Sequence, residues 1–122
     1  MSAREKISEN FFLDEFECSC SCGFNDISID LVERIQRVRN IFGPIKISSA
    51  CRCESWNQDC GGKINSAHTK GLALDLVCAN SRNRYHLLTD LIMEFDRIGI
   101  SGDGFIHVDT DPSKDANVCW TY

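Results

Sequence analysis

Apolar residues recur along the chain at two spacings. Over residues 30–42, Leu31, Ile35, Val38 and Phe42 fall three or four apart, with Glu33, Arg34, Arg37 and Arg39 mostly on the other side. That is the pattern of a helix with one buried face, and Gly43-Pro44 closes it. A second long helix is expected over residues 81–97, capped by Ser81, with Leu88, Leu91, Ile92 and Phe95 as its core stripe. A short helix over residues 54–59 ends at Gly61-Gly62. Strand-like runs cover residues 45–48, 72–78, 105–109 and 118–122. Helices and strands mix without regular alternation, which predicts an α+β domain: a small, mostly antiparallel sheet with flanking helices. At 122 residues the chain has room for one domain around one modest core. Residues 1–10 are expected as a flexible arm, followed by Phe11, Phe12, Leu13 and Phe16, which dock on the domain.

Composition narrows the class. A hydrophobic fraction of 43% and a charged fraction of 25% suit a soluble globular protein. No apolar run approaches the ~20 residues that span a bilayer, so membrane insertion is not expected. A net charge of -5 and the lack of a basic stripe speak against a nucleic-acid partner. Nothing points to an oligomer, and a monomer is expected. Residues 1–10 carry mixed charge and no apolar central region, unlike a secretory signal, so a cytoplasmic location at synthesis is expected.

Eight cysteines are many for this length: Cys18, Cys20, Cys22, Cys51, Cys53, Cys60, Cys78 and Cys119. Three states are open to them. Reduced thiols rank first by the compartment argument, a structural metal second and disulfides third. Cys-x-Cys is not the usual Cys-x2-4-Cys zinc spacing. Cys78 and Cys119, in apolar runs, read as small core residues.

The chemistry concentrates in two segments. Ser66-Ala67-His68-Thr69-Lys70-Gly71-Leu72-Ala73-Leu74-Asp75 holds a histidine and an aspartate, and Phe105-Ile106-His107-Val108-Asp109 holds a second histidine. A lone histidine is more often an ordinary polar side chain, and His86, on a helical segment, is read that way. Asp75 differs because it sits in an apolar run, where a carboxylate needs a partner or a metal. Two histidines and a carboxylate are the protein ligands of a catalytic zinc ion that keeps one position open.

The order Glu15-Phe16-Glu17-Cys18, Ile29-Asp30, Gly43-Pro44-Ile45-Lys46-Ile47-Ser48-Ser49, Arg52, Asn57, Gly61-Gly62, Ser66-x-His68-x2-Gly71-x-Ala73-x-Asp75 and Phe105-Ile106-His107-Val108-Asp109 resembles peptidase family M15. These are the zinc D-Ala-D-Ala carboxypeptidase-like enzymes, here in their short single-domain branch. The resemblance runs from Phe11 to Asp109. It implies the fold shared with the hedgehog signalling domain and one catalytic zinc ion held by His68, Asp75 and His107. It also makes Arg52 the arginine that engages a substrate carboxylate or backbone, a role its planar fork suits. The plainer reading of Arg52 is a surface salt bridge. Ser66 borders the cleft or, as plainly, stabilises a turn.

The implied chemistry is hydrolysis, with a carboxylate or histidine accepting a proton from water and passing it to the departing amine. Several family members carry Glu or Asp three residues before the last zinc histidine, and others a histidine two before it. Gly104 and Phe105 stand there in this chain. Asp103 could serve if Gly102 and Gly104 let the loop bend, and is preferred narrowly. Asp109 could serve instead, or orient a ligand. The function implied is a zinc metallopeptidase, carboxypeptidase or endopeptidase, acting on peptidoglycan peptide stems. A phage- or prophage-encoded lysin released to the wall by a permeabilising partner would fit the expected location. The alternatives are a non-catalytic zinc-binding module of the same fold and, more weakly, a cysteine-rich metal or redox protein.

Overall fold

The computed structural model describes residues 4–122, in which the two spacings resolve into three α-helices and seven strands. In chain order these are β1 (Lys6–Ser8), β2 (Phe11–Phe12), α1 (Ile29–Phe42), β3 (Ile47–Ser49), α2 (Glu54–Asp59), β4 (Ala73–Val77), α3 (Ser81–Leu91), β5 (Arg97–Ile100), β6 (Phe105–Asp109) and β7 (Val118–Thr121). Single 3-10 turns lie at Leu13–Phe16 and Ala67–Lys70. β3-β4-β6-β5-β7 form one sheet, antiparallel except for the β5–β7 pair, and β1-β2 form a separate hairpin. The domain is α+β with a small, mostly antiparallel sheet, as its sequence predicts.

Alternation along the strands divides the sheet into two faces. Leu74 and Leu76 of β4, Ile98 of β5, and Ile106 and Val108 of β6 join Leu31, Ile35 and Val38 of α1 and Leu87 and Leu91 of α3 in one apolar cluster. Phe11 and Phe16 belong to the same cluster, so the N-terminal aromatics do dock. α1 begins where the Ser28 hydroxyl accepts a hydrogen bond from the Leu31 N–H, and ends at Gly43 with φ +105°.

Several local expectations need correction. α3 stops at Leu91 rather than at residue 97, and its cap is Asn80, whose side chain accepts from the Asn83 N–H at 2.9 Å. The chain then turns because Glu94 is drawn to α1: its carbonyl accepts from Arg34, and its carboxylate takes Arg37 at 2.9–3.0 Å. Ile92 consequently lies outside the core at 68% exposure, and Leu87 takes its place. Arg97–Ile100 is a strand that the periodicity did not indicate. Cys78 is buried as expected, but Cys119 is exposed, because β7 is the sheet's edge strand. Within the expected N-terminal arm, Lys6–Ser8 pairs with β2, while residues 1–3 lie outside the described residues. Among the described residues, no helix is long and apolar enough to cross a membrane.

Candidate metal centre

Strand register sets the polar face of the sheet. Asp75 of β4 stands opposite His107 of β6, flanked by Ser49 of β3 and Gly99 of β5, and Gly99 stands opposite Trp120 of β7. Paired residues share a face, so Ser49, Asp75, His107, Gly99 and Trp120 form one row across the side away from the apolar cluster. A Cβ at Gly99 would collide with the Trp120 indole. The bare backbone there lets the indole lie across β5, with its ring centroid 5.5 Å from that of His107.

His68 reaches this row from the 3-10 turn before β4. The Ser66 hydroxyl accepts from the His68 N–H at 3.2 Å, and Gly71, with φ +69°, turns the chain into the strand. A side chain at Gly71 would run into the Asp26 carbonyl, so this bend requires glycine twice over, for its φ and for its size.

The outer nitrogen of each imidazole is already committed. His68 Nδ1 lies 2.7 Å from the Ala50 carbonyl oxygen, which can only accept, so Nδ1 carries the proton. His107 Nε2 lies 2.7 Å from Asp109 Oδ2 and is protonated for the same reason. In the neutral rings, lone pairs therefore remain on His68 Nε2 and His107 Nδ1. Both point at Asp75 Oδ1, at 3.2 and 3.0 Å. Three acceptors cannot face one another this closely without a cation between them, either a proton or a metal ion. N and O ligands about 2.0–2.1 Å from a tetrahedral zinc ion would stand about 3.3 Å apart, which these spacings match. All three side chains are buried, and their ligand atoms lie within 4.8 Å of one another.

Electrostatics around the cluster keep it polarised. Burial works against charge on Asp75, but His107 and His68, when a proton takes the place of a metal ion between them and the carboxylate, hold its carboxyl well below the usual carboxylate range. Burial likewise opposes protonation of His107, yet the Asp109 and Asp75 carboxylates outweigh it and raise its pKa. Asp75 Oδ2 accepts from Arg52 Nη2 at 2.8 Å, while Arg52 Nε donates to Ser49 Oγ at 2.9 Å and Nη1 to Asn57 Oδ1 at 3.3 Å. Asp109 Oδ1 accepts from Arg97 Nε at 2.7 Å. Arg52, Asp75, His107, Asp109 and Arg97 thus form one connected polar chain.

The cluster opens on a cleft of about 920 Å³. Six sequence-predicted residues line it together: Arg52, Ser66, His68, Asp75, His107 and Asp109. Asp103 does not line it; that residue is exposed on the β5–β6 turn, with its N–H on Ser101 Oγ. His86 is exposed on α3 beside Tyr85. Among the cleft residues that sequence reasoning missed are Arg97, Asp115, Trp120 and Tyr122. Arg97 and Gly99 alternate, which would have placed Arg97 on the site face had β5 been recognised. A second hollow of about 450 Å³, beside Arg34 and Glu94, is lined by no histidine or cysteine.

A family model described as Peptidase M15 matches residues 9–109 of the chain. Comparison with curated proteins gives no match.

Proposed function

The chain belongs to the peptidase M15 family, and on that premise we propose that it is a zinc-dependent hydrolase cutting peptide bonds in the stem peptides of peptidoglycan. Membership of the family makes it a peptidase; the substrate, the zinc ligands and the residue roles are our reading. One observation carries it: the convergence of His68 Nε2, His107 Nδ1 and Asp75 Oδ1, three lone-pair donors with their protons turned outward. These residues would hold the ion. When bound, zinc supplies Lewis acidity, making a nearby water more acidic and drawing electron density from a carbonyl.

The chain's own residues do the remaining work. Asp109 holds the proton on His107 Nε2, so Nδ1 keeps its lone pair, and Arg97 fixes Asp109 in turn. Arg52 holds Asp75 through Nη2 and has two of its five N–H donors free of protein acceptors among the described residues. Those two can take a stem-peptide carboxylate, for which Lys63 adds positive charge at the cleft. Two carboxylates besides Asp75 line the cleft, Asp109 and Asp115. Asp109 is engaged by His107 and Arg97, whereas the Asp115 carboxylate makes no hydrogen bond among the described residues, so Asp115 is assigned the proton transfer.

Zinc content and turnover on purified peptidoglycan test this together. His68→Ala and His107→Ala each abolish one equivalent of zinc and all turnover. Asp109→Asn weakens zinc binding about 10–100-fold. Asp115→Asn keeps its zinc and loses about 10²–10⁴-fold in kcat, while Asp103→Asn behaves as wild type. Full zinc content in both histidine variants sinks the ligand assignment. A zinc-loaded wild type that releases no stem fragments instead supports a non-catalytic zinc module. Sequencing the released fragments separates carboxypeptidase from endopeptidase action.

A further inference from the structure

A second cluster of metal-ligating side chains lies outside the cleft's polar row. Cys18, Cys20 and Cys22, at alternate positions in the loop before α1, meet Cys53, the residue that caps α2. Their sulfurs all lie within 4.8 Å of one another. Cys18 Sγ is 3.4 Å from Cys20 Sγ, and Cys20 Sγ is 3.6 Å from Cys53 Sγ. Thiolates about 2.3 Å from a tetrahedral ion stand about 3.8 Å apart. The observed spacing suits one ion and leaves no room for a cluster of several metal atoms.

Alternate residues of an extended chain share a side, but three of them cannot surround a point unless the chain curls. It does so here at Ser21, which has φ +65°, and at Gly23, which has φ +90°. The left-handed region costs a non-glycine residue about 1–2 kcal/mol, strain of the kind that persists where a ligand clamp over-determines it. Backbone hydrogen bonds close the loop: Cys18 N–H to Phe24 O at 2.8 Å and Ser21 N–H to Cys18 O at 3.3 Å. Two further N–H groups aim at sulfur, Cys53 N–H at Cys18 Sγ and Trp56 N–H at Cys53 Sγ, both at 3.4 Å. Such donors orient a ligating sulfur. A pair of disulfides would need only two separate contacts, each closing to about 2.05 Å, and does not call for four sulfurs around one point.

We propose that Cys18, Cys20, Cys22 and Cys53 form a four-thiolate structural zinc site, separate from the histidine–aspartate centre. Binding releases the thiol protons to solvent and forms four zinc–sulfur bonds, with no change of oxidation state. The site ties the loop to the start of α2 and holds the segment that presents Arg52. On either side of Arg52, Cys51 N–H donates to Phe16 O at 3.0 Å, and Cys53 is itself a ligand; Arg52 N–H donates to His68 O at 3.1 Å. α2 then supplies Asn57 to the Arg52 guanidinium.

The test is elemental analysis and native mass spectrometry of protein prepared without oxygen. Two zinc ions per chain are expected in wild type, one in His107→Ala and one in Cys22→Ser. Cobalt substituted into His107→Ala should show the near-ultraviolet sulfur-to-cobalt bands of tetrahedral thiolate ligation. Alkylation of the wild type needs no variant, so misfolding cannot obscure it. Cys20, Cys22, Cys60 and Cys119 are all exposed, yet only Cys60 and Cys119 should react before a chelator is added. Equal labelling of all four in zinc-loaded protein overturns the site, as do full zinc in Cys22→Ser, a metal other than zinc, or the mass deficit of disulfides. Loss of all zinc in His107→Ala refutes this site and leaves the catalytic one standing. Retention of a single cobalt–thiolate signal in a wild type with no second metal does the reverse.

Discussion

Asp111 is a carboxylate with almost no access to solvent, at 1% side-chain exposure, and it is surrounded by donors. Lys114 Nζ reaches it at 2.6 Å, Lys70 Nζ at 3.0 Å, and Ser113 gives both its hydroxyl and its N–H. Burial opposes its charge, but the hydrogen bonds from Lys114, Ser113 and Lys70 prevail and hold its pKa well below the usual carboxylate range. A lowered folded pKa means that the unfolded chain takes up the proton first as the solution is acidified. Its stabilisation is therefore complete above the ordinary value near 4 and is lost as pH falls towards the folded value. Thermal melts from pH 6 to pH 3 should show stability falling with acid in the wild type. Asp111→Asn should lower stability by about 1.5–3 kcal/mol at neutral pH and flatten the acid limb; an unchanged limb would show that other carboxylates set it. Ser113 and Lys114 are neighbours in sequence, but Lys70 lies 41 positions away, and only the fold shows that the three enclose Asp111. Asp75 and His107 were legible for the opposite reason: their apolar neighbours make a charged or polar side chain anomalous, and His68 was legible from its spacing to Asp75 within one motif. Asp115 and Arg97 stand in ordinary polar surroundings, and only the fold shows where they lie.

Among the elements, α1 could be read from its stripe because one face meets the core along its whole length. β5 could not, because the apolar positions before it continue a helical period that the Arg37–Glu94 contact interrupts from outside. The turn between His68 and β4 is the element on which the centre depends most. Gly71→Ala adds a methyl group against the Asp26 carbonyl in a left-handed conformation. Its expected cost is about 2–5 kcal/mol, combining the conformational penalty with overpacking. Gly102→Ala, at an open position without that φ, should stay within about 0.5 kcal/mol of wild type. Urea midpoints of the two variants, side by side, check both values. A Gly71→Ala midpoint equal to that of Gly102→Ala would mean that the turn relaxes freely.

For the molecule as a whole, an α+β class follows from the mix of periods, whereas the parallel return of β7 beside β5 does not. Sheet order is a tertiary property, and no local pattern encodes the Gly99–Trp120 match that seats β7. A chain of 122 residues has a small core, so a bound metal should be a large share of its stability. Zinc at about 1,000 times its dissociation constant contributes about 4 kcal/mol. Chelation should therefore lower Tm by on the order of 15 °C in a domain of this size, restored by adding zinc back. A Tm indifferent to the chelator would mean that the folded state holds no tightly bound metal. The parallel β5–β7 pair has another consequence. It forces residues 101–117 to make a complete circuit, out through β6 and back along the cleft's margin past Asp111, which is pinned to Lys70 beside Gly71. Asp75, His107 and Asp109 sit on rigid strands, whereas Ser113, Lys114 and Asp115 bring that returning loop to the cleft. Surface loops tolerate insertion and exchange far better than the strands they join. The proposed ligands and the rim of the cleft thus lie on separable lengths of chain, and insertions after Asp115 that keep Asp111, Ser113, Lys114 and Asp115 should reshape that rim while leaving His68, Asp75 and His107 in place.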